Sequence, residues 1–399
     1  MRSHIYWAAA GLAMTASLSA TSISQGYQDA TAAALGNTGA AGVGTSAAVY
    51  YNPAALTRLD SAEAQFTFFG SFGETNFSNG PLNTDTSSDF VATGSLFAGL
   101  PVEALGGVVG FGVTTPHGLG IEYPDSSPLR SVALEGELAH VVYTLSYARK
   151  LTDGLSLGLG IDYARDELRT RQGLVAPGDF LEAELDGSGF GFNVGLLYEP
   201  HPDHSFGLVY QSKMSVGLSG DLETDAPLLL PVPVNESARS SFRYPDKLVL
   251  GHSWQATEKT RIETNLTWYN WDSLNSVSIR TPTQTLTNRF DHDPGLILNF
   301  GINHRVNDCW TLNCGYLYGE KTAPSNTFVP TIPDADLHVF SIGAEYSRND
   351  WSVAAAGLFV FREDRTVAGS PASPFTGVSA DGDYETDGQA FLITVRRKF

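Results

Sequence analysis

Cysteine is nearly absent: Cys309 and Cys314 are the only two in 399 residues. Positions five apart on a strand point to opposite faces, and a bridge needs Cα atoms about 4.4–6.8 Å apart. A disulfide within one strand is therefore excluded, and two free thiols are expected. Positive charge is scarce too. Lys and Arg number 24 against 43 Asp and Glu, a net charge of −19. A nucleic-acid surface would need the opposite balance. Beyond the N-terminus there is no run of about twenty apolar residues, so a transmembrane helix is excluded. A membrane location is not, because a β-barrel crosses with alternating strands whose average hydropathy is near neutral.

What is present begins with a secretory pattern. Arg2 and His4 make a short polar start, an apolar stretch runs from Ile5 to about Leu18, and small residues follow. Residues 1–24 are expected to be a signal peptide cleaved after Ala20 or Ser24. The alternative, a membrane anchor, would be short for a span.

Residues 61–399 form a long series of alternating segments. Leu155, Leu157, Leu159, Ile161 and Tyr163 share one face against Ser156, Gly158, Gly160 and Asp162. Phe190, Phe192, Val194, Leu196 and Tyr198 repeat this, as do Phe391, Ile393, Val395 and Phe399. A two-residue period places each set on one side of a sheet. Apolar sets ending near an aromatic suit a lipid-facing band, and their small, polar partners suit a lumen. About fourteen strands are expected, centred near residues 69, 95, 111, 141, 161, 192, 211, 248, 268, 300, 314, 342, 357 and 393. Short connections (such as Lys150–Gly154 and Ser347–Asp350) alternate strictly with long ones (such as Asp221–Ala238 and Thr281–Pro294). Short periplasmic turns and long outer loops define an outer-membrane barrel, whereas a soluble sandwich has no reason to sort loop lengths by end. The fold class is therefore all-β: a transmembrane antiparallel barrel of about 14 strands.

Residues 25–60 differ. They are rich in Ala and Gly, do not alternate, and contain Tyr50-Tyr51-Asn52-Pro53-Ala54-Ala55. They are expected to form a plug, or hatch, inside the lumen, with a disordered periplasmic tail as the alternative. Asn52, Pro53 and Ala54 are its candidate anchor, with the Asn52 side chain bonding backbone near the Pro53 turn.

These segments resemble the FadL family of outer-membrane transporters of hydrophobic compounds. The resemblance rests on Gly26-Tyr27, Ala33–Gly42 and Asn52-Pro53-Ala54. It continues through Gly110–Val113 with Pro116–Gly120, Tyr244–Leu248 with Trp268–Trp271, and Ile332–Asp336 after Gly315–Tyr318. It implies fourteen strands, an N-terminal hatch and passive uptake of long-chain fatty acids or, in some branches, aromatic hydrocarbons. It also implies capture on apolar outer loops and lateral exit at a kinked third strand. Leu337 stands where the family often has Arg after Pro-Asp-x-Asp, so no carboxylate-binding cation is inferred there.

Three features are candidates for function. The outer loop 221–238 carries Leu228, Leu229, Leu230, Val232 and Val234, and the preceding one Leu174, Val175, Phe180 and Leu181. Loops normally face water, so these are either a capture patch for greasy ligands or a packed cap. The third strand carries Gly106, Gly107, Gly110, Gly112 and then Pro116. These are either a kink that opens the wall or ordinary small lumen residues. Phe399 ends the last strand as the aromatic that the barrel-assembly machinery reads, or as a girdle residue. No catalytic, metal or cofactor constellation emerges. The Gly187–Gly191 run precedes no helix, and the His201–His204 turn has no third ligand. The expected function is uptake of hydrophobic molecules, foremost long-chain fatty acids, by a monomer in outer-membrane lipid. The alternatives are aromatic hydrocarbon transport and a structural or adhesive barrel.

Overall fold

The computed structural model describes residue 24 and residues 26–86, 90–230 and 232–399. The expected signal peptide, apart from Ser24, lies outside them. Fourteen antiparallel strands form the wall: β1 (Glu63–Asn79), β2 (Val91–Val102), β3 (Gly107–Glu122), β4 (Glu135–Thr152), β5 (Leu155–Gln172) and β6 (Phe180–His201). Next come β7 (His204–Gln211 and Met214–Asp225) and β8 (Val234–Tyr244 and Lys247–Thr257), each in two pieces, then β9 (Thr260–Tyr269) and β10 (Gly295–Arg305). β11 (Trp310–Gly319), β12 (Leu337–Arg348), β13 (Trp351–Arg362) and β14 (Gly382–Lys398) complete the set. β14 pairs with β13 and, from Glu63↔Lys398 to Ser78↔Asp383, with β1, so the sheet closes on itself. Closure pairs the first and last strands, so neither end of the sheet is left as a free edge in lipid. Each of the expected strand centres falls within one of these strands.

The alternation sorts as a barrel demands. Phe190, Phe192, Leu159, Ile161 and Ile393 are exposed on the outer wall; Phe190 is 70% exposed. Ser156, Asp162 and Thr394 are buried inside. The short turns 103–106, 153–154, 202–203, 258–259, 306–309 and 349–350 share the end where β1 begins and β14 finishes.

Three expectations need correction. Cys309 lies in the turn before β11, not on one strand with Cys314, though both are free thiols. The loop expected over Asp221–Ala238 is mostly strand: β7 runs to Asp225 and β8 starts at Val234. The lumen face is small and polar only in its lower half. Higher up, Leu168, Leu185, Leu218, Leu222, Phe242, Leu358 and Val360 point inward and join one buried apolar cluster.

The hatch sits in the lower lumen. It contains α1 (Ala30–Ala34), α2 (Ala48–Tyr51) and a 3₁₀ turn, Pro53–Arg58. Asp29 caps α1 by accepting from the Ala32 amide at 2.8 Å and also accepts from Gln65 of β1. Wall glycines let the hatch backbone approach. A Cβ at Gly158 would run into Pro53 and Ala54, and one at Gly315 into Leu35 and Gly36. At the outer end, Phe77 of β1 and Tyr384 of β14 pack with Tyr123, Leu129 and Phe328 of the loops.

Candidate functional site

The site begins where the wall is incomplete. β2 and β3 pair regularly from Val102↔Gly107 up to Leu96↔Val113, and there the ladder stops. Above it, β2 continues to pair with β1, while β3 continues with β4 after a register shift between Thr114 and His117. Pro116, which lacks a backbone donor, sits within that shift. The glycines expected to form the kink lie below it. Gly107, Gly110 and Gly112 are in the paired stretch, and Gly106 is in the turn with φ +59°. Gly110 and Gly112 face the hatch: a Cβ there would meet Val49 at 2.6 and 2.9 Å. Filling them would disturb the plug rather than seal the gap, which corrects their expected role.

The hatch occupies the gap. The Gln28 side chain donates Nε2–H to the Thr115 carbonyl and accepts from the Thr115 amide, both at 3.2 Å. It thus bonds the β3 backbone just above the point where pairing with β2 ends. Ser95 of β2 donates its hydroxyl to the Gln28 carbonyl at 2.5 Å, and the Thr93 and Thr115 hydroxyls lie 2.7 Å apart. Ser24 forms an isolated bridge to His117. Nothing in the sequence singled out Gln28; its position becomes visible only when β2 and β3 are seen to part company beside it.

Asn52 ties the hatch to the wall at β6. Its Nδ2 donates to Ala40 O at 2.6 Å and to Leu196 O of β6 at 3.1 Å, while its Oδ1 accepts from the Ala54 amide. Pro53 and Ala54 are buried beside it. Pro53 is suited to the first position of the turn, where its missing N–H is not needed.

Above the hatch lies an aromatic shelf. Tyr244 stacks on His117 at 4.8 Å and lies 3.9 Å from the His140 ring, with Trp271 and Tyr269 alongside. Asp166 anchors it, with His140 Nδ1 at 2.6 Å and the Tyr244 hydroxyl donating at 2.6 Å. Beneath the shelf, a cavity of about 60 Å³ is lined by Tyr50, Tyr51, Lys247, Asn265 and Tyr269 among others. Upward, the apolar inner wall of Leu168, Leu185, Leu218 and Leu222 leads towards the outer loops. The sequence reading missed these residues because it assigned the whole inner face to a polar lumen.

The two expected capture loops adjoin each other, because Phe180 and Leu181 pair with Asp225 and Thr224 at their bases. Leu228, Leu229, Val232 and Val175 are well exposed, with Leu228 at 72%, and Val234 opens β8. Leu230 and Phe180 are half-buried, and Leu181 packs against the lumen cluster. Leu174 is buried and cannot meet a ligand on the surface. Asp179 fixes the loop 173–179 by accepting from the Leu174, Val175 and Ala176 amides and from Arg130. Burial pushes its carboxyl up, but these donors outweigh it and hold the pKa down to about 2. Phe399 is exposed, with the Arg397 guanidinium 4.8 Å from its ring centre.

Residues 8–399 match the sequence profile of the outer membrane protein transport proteins (OMPP1/FadL/TodX). The chain is 25% identical over 319 positions to a long-chain fatty acid transport protein of Salmonella typhi, covering 71% of each. Its fold is similar to the crystal structure of a Pseudomonas aeruginosa FadL homologue, with TM-score 0.88, 19% identity and coverage of 95% of this chain and 100% of the other. It is also similar to the P. putida toluene transporter TodX, with TM-score 0.76, 17% identity and coverage of 94% and 98%.

Proposed function

Because the chain belongs to the OMPP1/FadL/TodX family of outer-membrane transport proteins, we propose that the hydrophobic compounds it carries are foremost long-chain fatty acids, released sideways through the β2–β3 gap. One observation carries this reading: an apolar inner wall descends to the place where the β2–β3 ladder ends and a hatch side chain, Gln28, bonds the β3 backbone. Leu228, Leu229, Val232 and Val175 collect ligand at the outer rim. The acyl chain then moves along inward leucines, each CH₂ kept from water being worth about 0.8 kcal/mol. Release into periplasmic water would forfeit that energy, whereas exit through the wall delivers the chain directly to lipid. When the hatch shifts, Gln28 leaves Thr115, and the opening forms where the β2–β3 ladder has already ended. The relative named for long-chain fatty acid transport supports the ligand class. Phe399, at the end of the closing strand, serves as the aromatic recognised during barrel assembly.

The test is a reversible staple. Thr93→Cys with Thr115→Cys, in a Cys309→Ser/Cys314→Ser background, places two thiols where the hydroxyls now lie 2.7 Å apart. Oxidation should abolish uptake of a labelled long-chain fatty acid by cells, and reduction should restore it, with surface binding unchanged. Equal uptake by oxidised and reduced cells would mean that ligand leaves axially past the hatch. Uptake of labelled toluene but not fatty acid would move the ligand class to aromatic hydrocarbons.

A further inference from the structure

The outer wall of β7 and β8 carries a cationic strip away from the proposed transport path. The upper pieces of both strands are offset from the lower ones at Ser212–Lys213 and Pro245–Asp246, so their outward residues become odd-numbered. Lys213, Arg243 and Arg239 therefore point outward and are exposed. Arg280, in the hairpin Ser276–Arg280/Thr285–Arg289, is the direct register partner of Arg239 and is exposed too. Directly opposed side chains have Cβ atoms about 4.5–5.5 Å apart, where like charges repel. Among the described residues no carboxylate comes within 4.0 Å of any of these four cations. Of the carboxylates on the same wall, Asp221 and Glu223 sit higher, opposite Ser237 and Asn235, and Glu236 accepts from the Thr281 and Thr283 hydroxyls. Those on neighbouring β6, Asp186 and Glu184, are already paired with Arg165 and Arg169.

The height of the strip is informative. Just below it the outer wall is apolar and aromatic: Leu208, Leu248, Leu250 and Trp268 are exposed there. Aromatic residues at the end of the apolar band mark the head-group level of the membrane. Arg243 stands at that level, and Arg239 follows four residues on, ~13 Å along the tilted strand. On a chain of net charge −19, this strip is a local reversal of sign at the height of lipid phosphates. Arg binds phosphate through a planar fork of donors.

We propose that Arg239, Arg243 and Arg280, with Lys213, bind the phosphate-bearing head group of an outer-leaflet lipid, which supplies the anion that the Arg239–Arg280 pair lacks. This holds whatever the barrel transports. Full-length protein in neutral detergent, mixed with diphosphoryl lipid A, phosphatidylethanolamine or inorganic phosphate, can be read by native mass spectrometry. Wild type should retain diphosphoryl lipid A at least tenfold better than R239Q/R243Q/R280Q, and phosphatidylethanolamine equally poorly in both. R239K/R280K, which keeps the charge, should retain most of the binding. The control R149Q/R348Q, which removes two exposed cations at the periplasmic end, should match wild type. Inorganic phosphate at the same concentration should not compete. Equal retention by wild type and the triple variant would overturn the proposal. So would equal loss in the periplasmic control, or displacement of the lipid by inorganic phosphate. Heat-modifiable gel migration confirms that each variant is folded.

Discussion

Asn52 uses every polar atom of its side chain to hold two segments together. Replacing it with Ala removes the cap of the Pro53 turn, worth about 1 kcal/mol. It also leaves the Ala40 carbonyl without its donor. Asn52→Ala should therefore lower fatty-acid uptake severalfold, while the barrel still resists unfolding in detergent at room temperature. Asn52→Asp should be no better, since it keeps the acceptor and loses both donors. Uptake at the wild-type rate by well-inserted Asn52→Ala would exclude the anchoring role. Asp179 gives a second residue-scale prediction, with its sign fixed by the depressed pKa. The stabilisation it lends to the loop 173–179 is complete above the ordinary carboxylate value of 3.8 and disappears as pH falls through about 2. Hydrogen exchange of the Val175 and Ala176 amides should stay slow at pH 4 and become fast near pH 2, and Asp179→Asn should be fast at both. The sequence made Asn52 legible because Asn before Pro is a recurrent capping pair. It concealed Gln28, whose side chain matters only through a gap formed by two distant strands.

At the scale of elements, the strands were legible wherever one face meets lipid. Leu155–Tyr163 and Phe190–Tyr198 alternate because lipid and lumen demand opposite residues there. Above the membrane that demand changes sides. The outer face of β7 becomes Ser219, Asp221 and Glu223, and the apolar residues Leu218 and Leu222 turn inward. Read for a lipid face, the strand stops there; the wall continues with its polarity inverted. This is why the expected loop 221–238 was too long and why the apolar lumen went unseen. The hatch offers a sharper test of how elements fit. Gly315 is where α1's trailing backbone touches β11, and any Cβ there must displace Leu35 or Gly36. Gly315→Val should push the hatch off the wall and make an engineered thiol at Ala34 accessible to a maleimide, while the pairing of β11 with β10 and β12 survives. A still-protected thiol would show that the hatch absorbs the added volume.

For the whole molecule, capture and passage separate experimentally. Leu228→Glu with Val232→Glu places two charges on the exposed outer patch and touches nothing in the lumen. It should raise the fatty-acid concentration needed for half-maximal uptake by about tenfold, as loss of roughly two CH₂ groups' worth of apolar contact would. The maximal rate should be unchanged; a fall in that rate alone would assign the patch to the passage itself.

The seam between β1 and β14 joins the first strand of the wall to the last, the longest-range pairing in the chain. A ring sealed by such a contact closes late, because long loops must be ordered before the contact rewards them. The hatch precedes β1, yet it ends up encircled by all fourteen strands. It cannot be threaded into a finished cylinder narrow enough for Gly158 and Gly315 to touch its backbone. It must already be lying on the curling sheet when the seam meets, so the cork is set before the bottle has a neck.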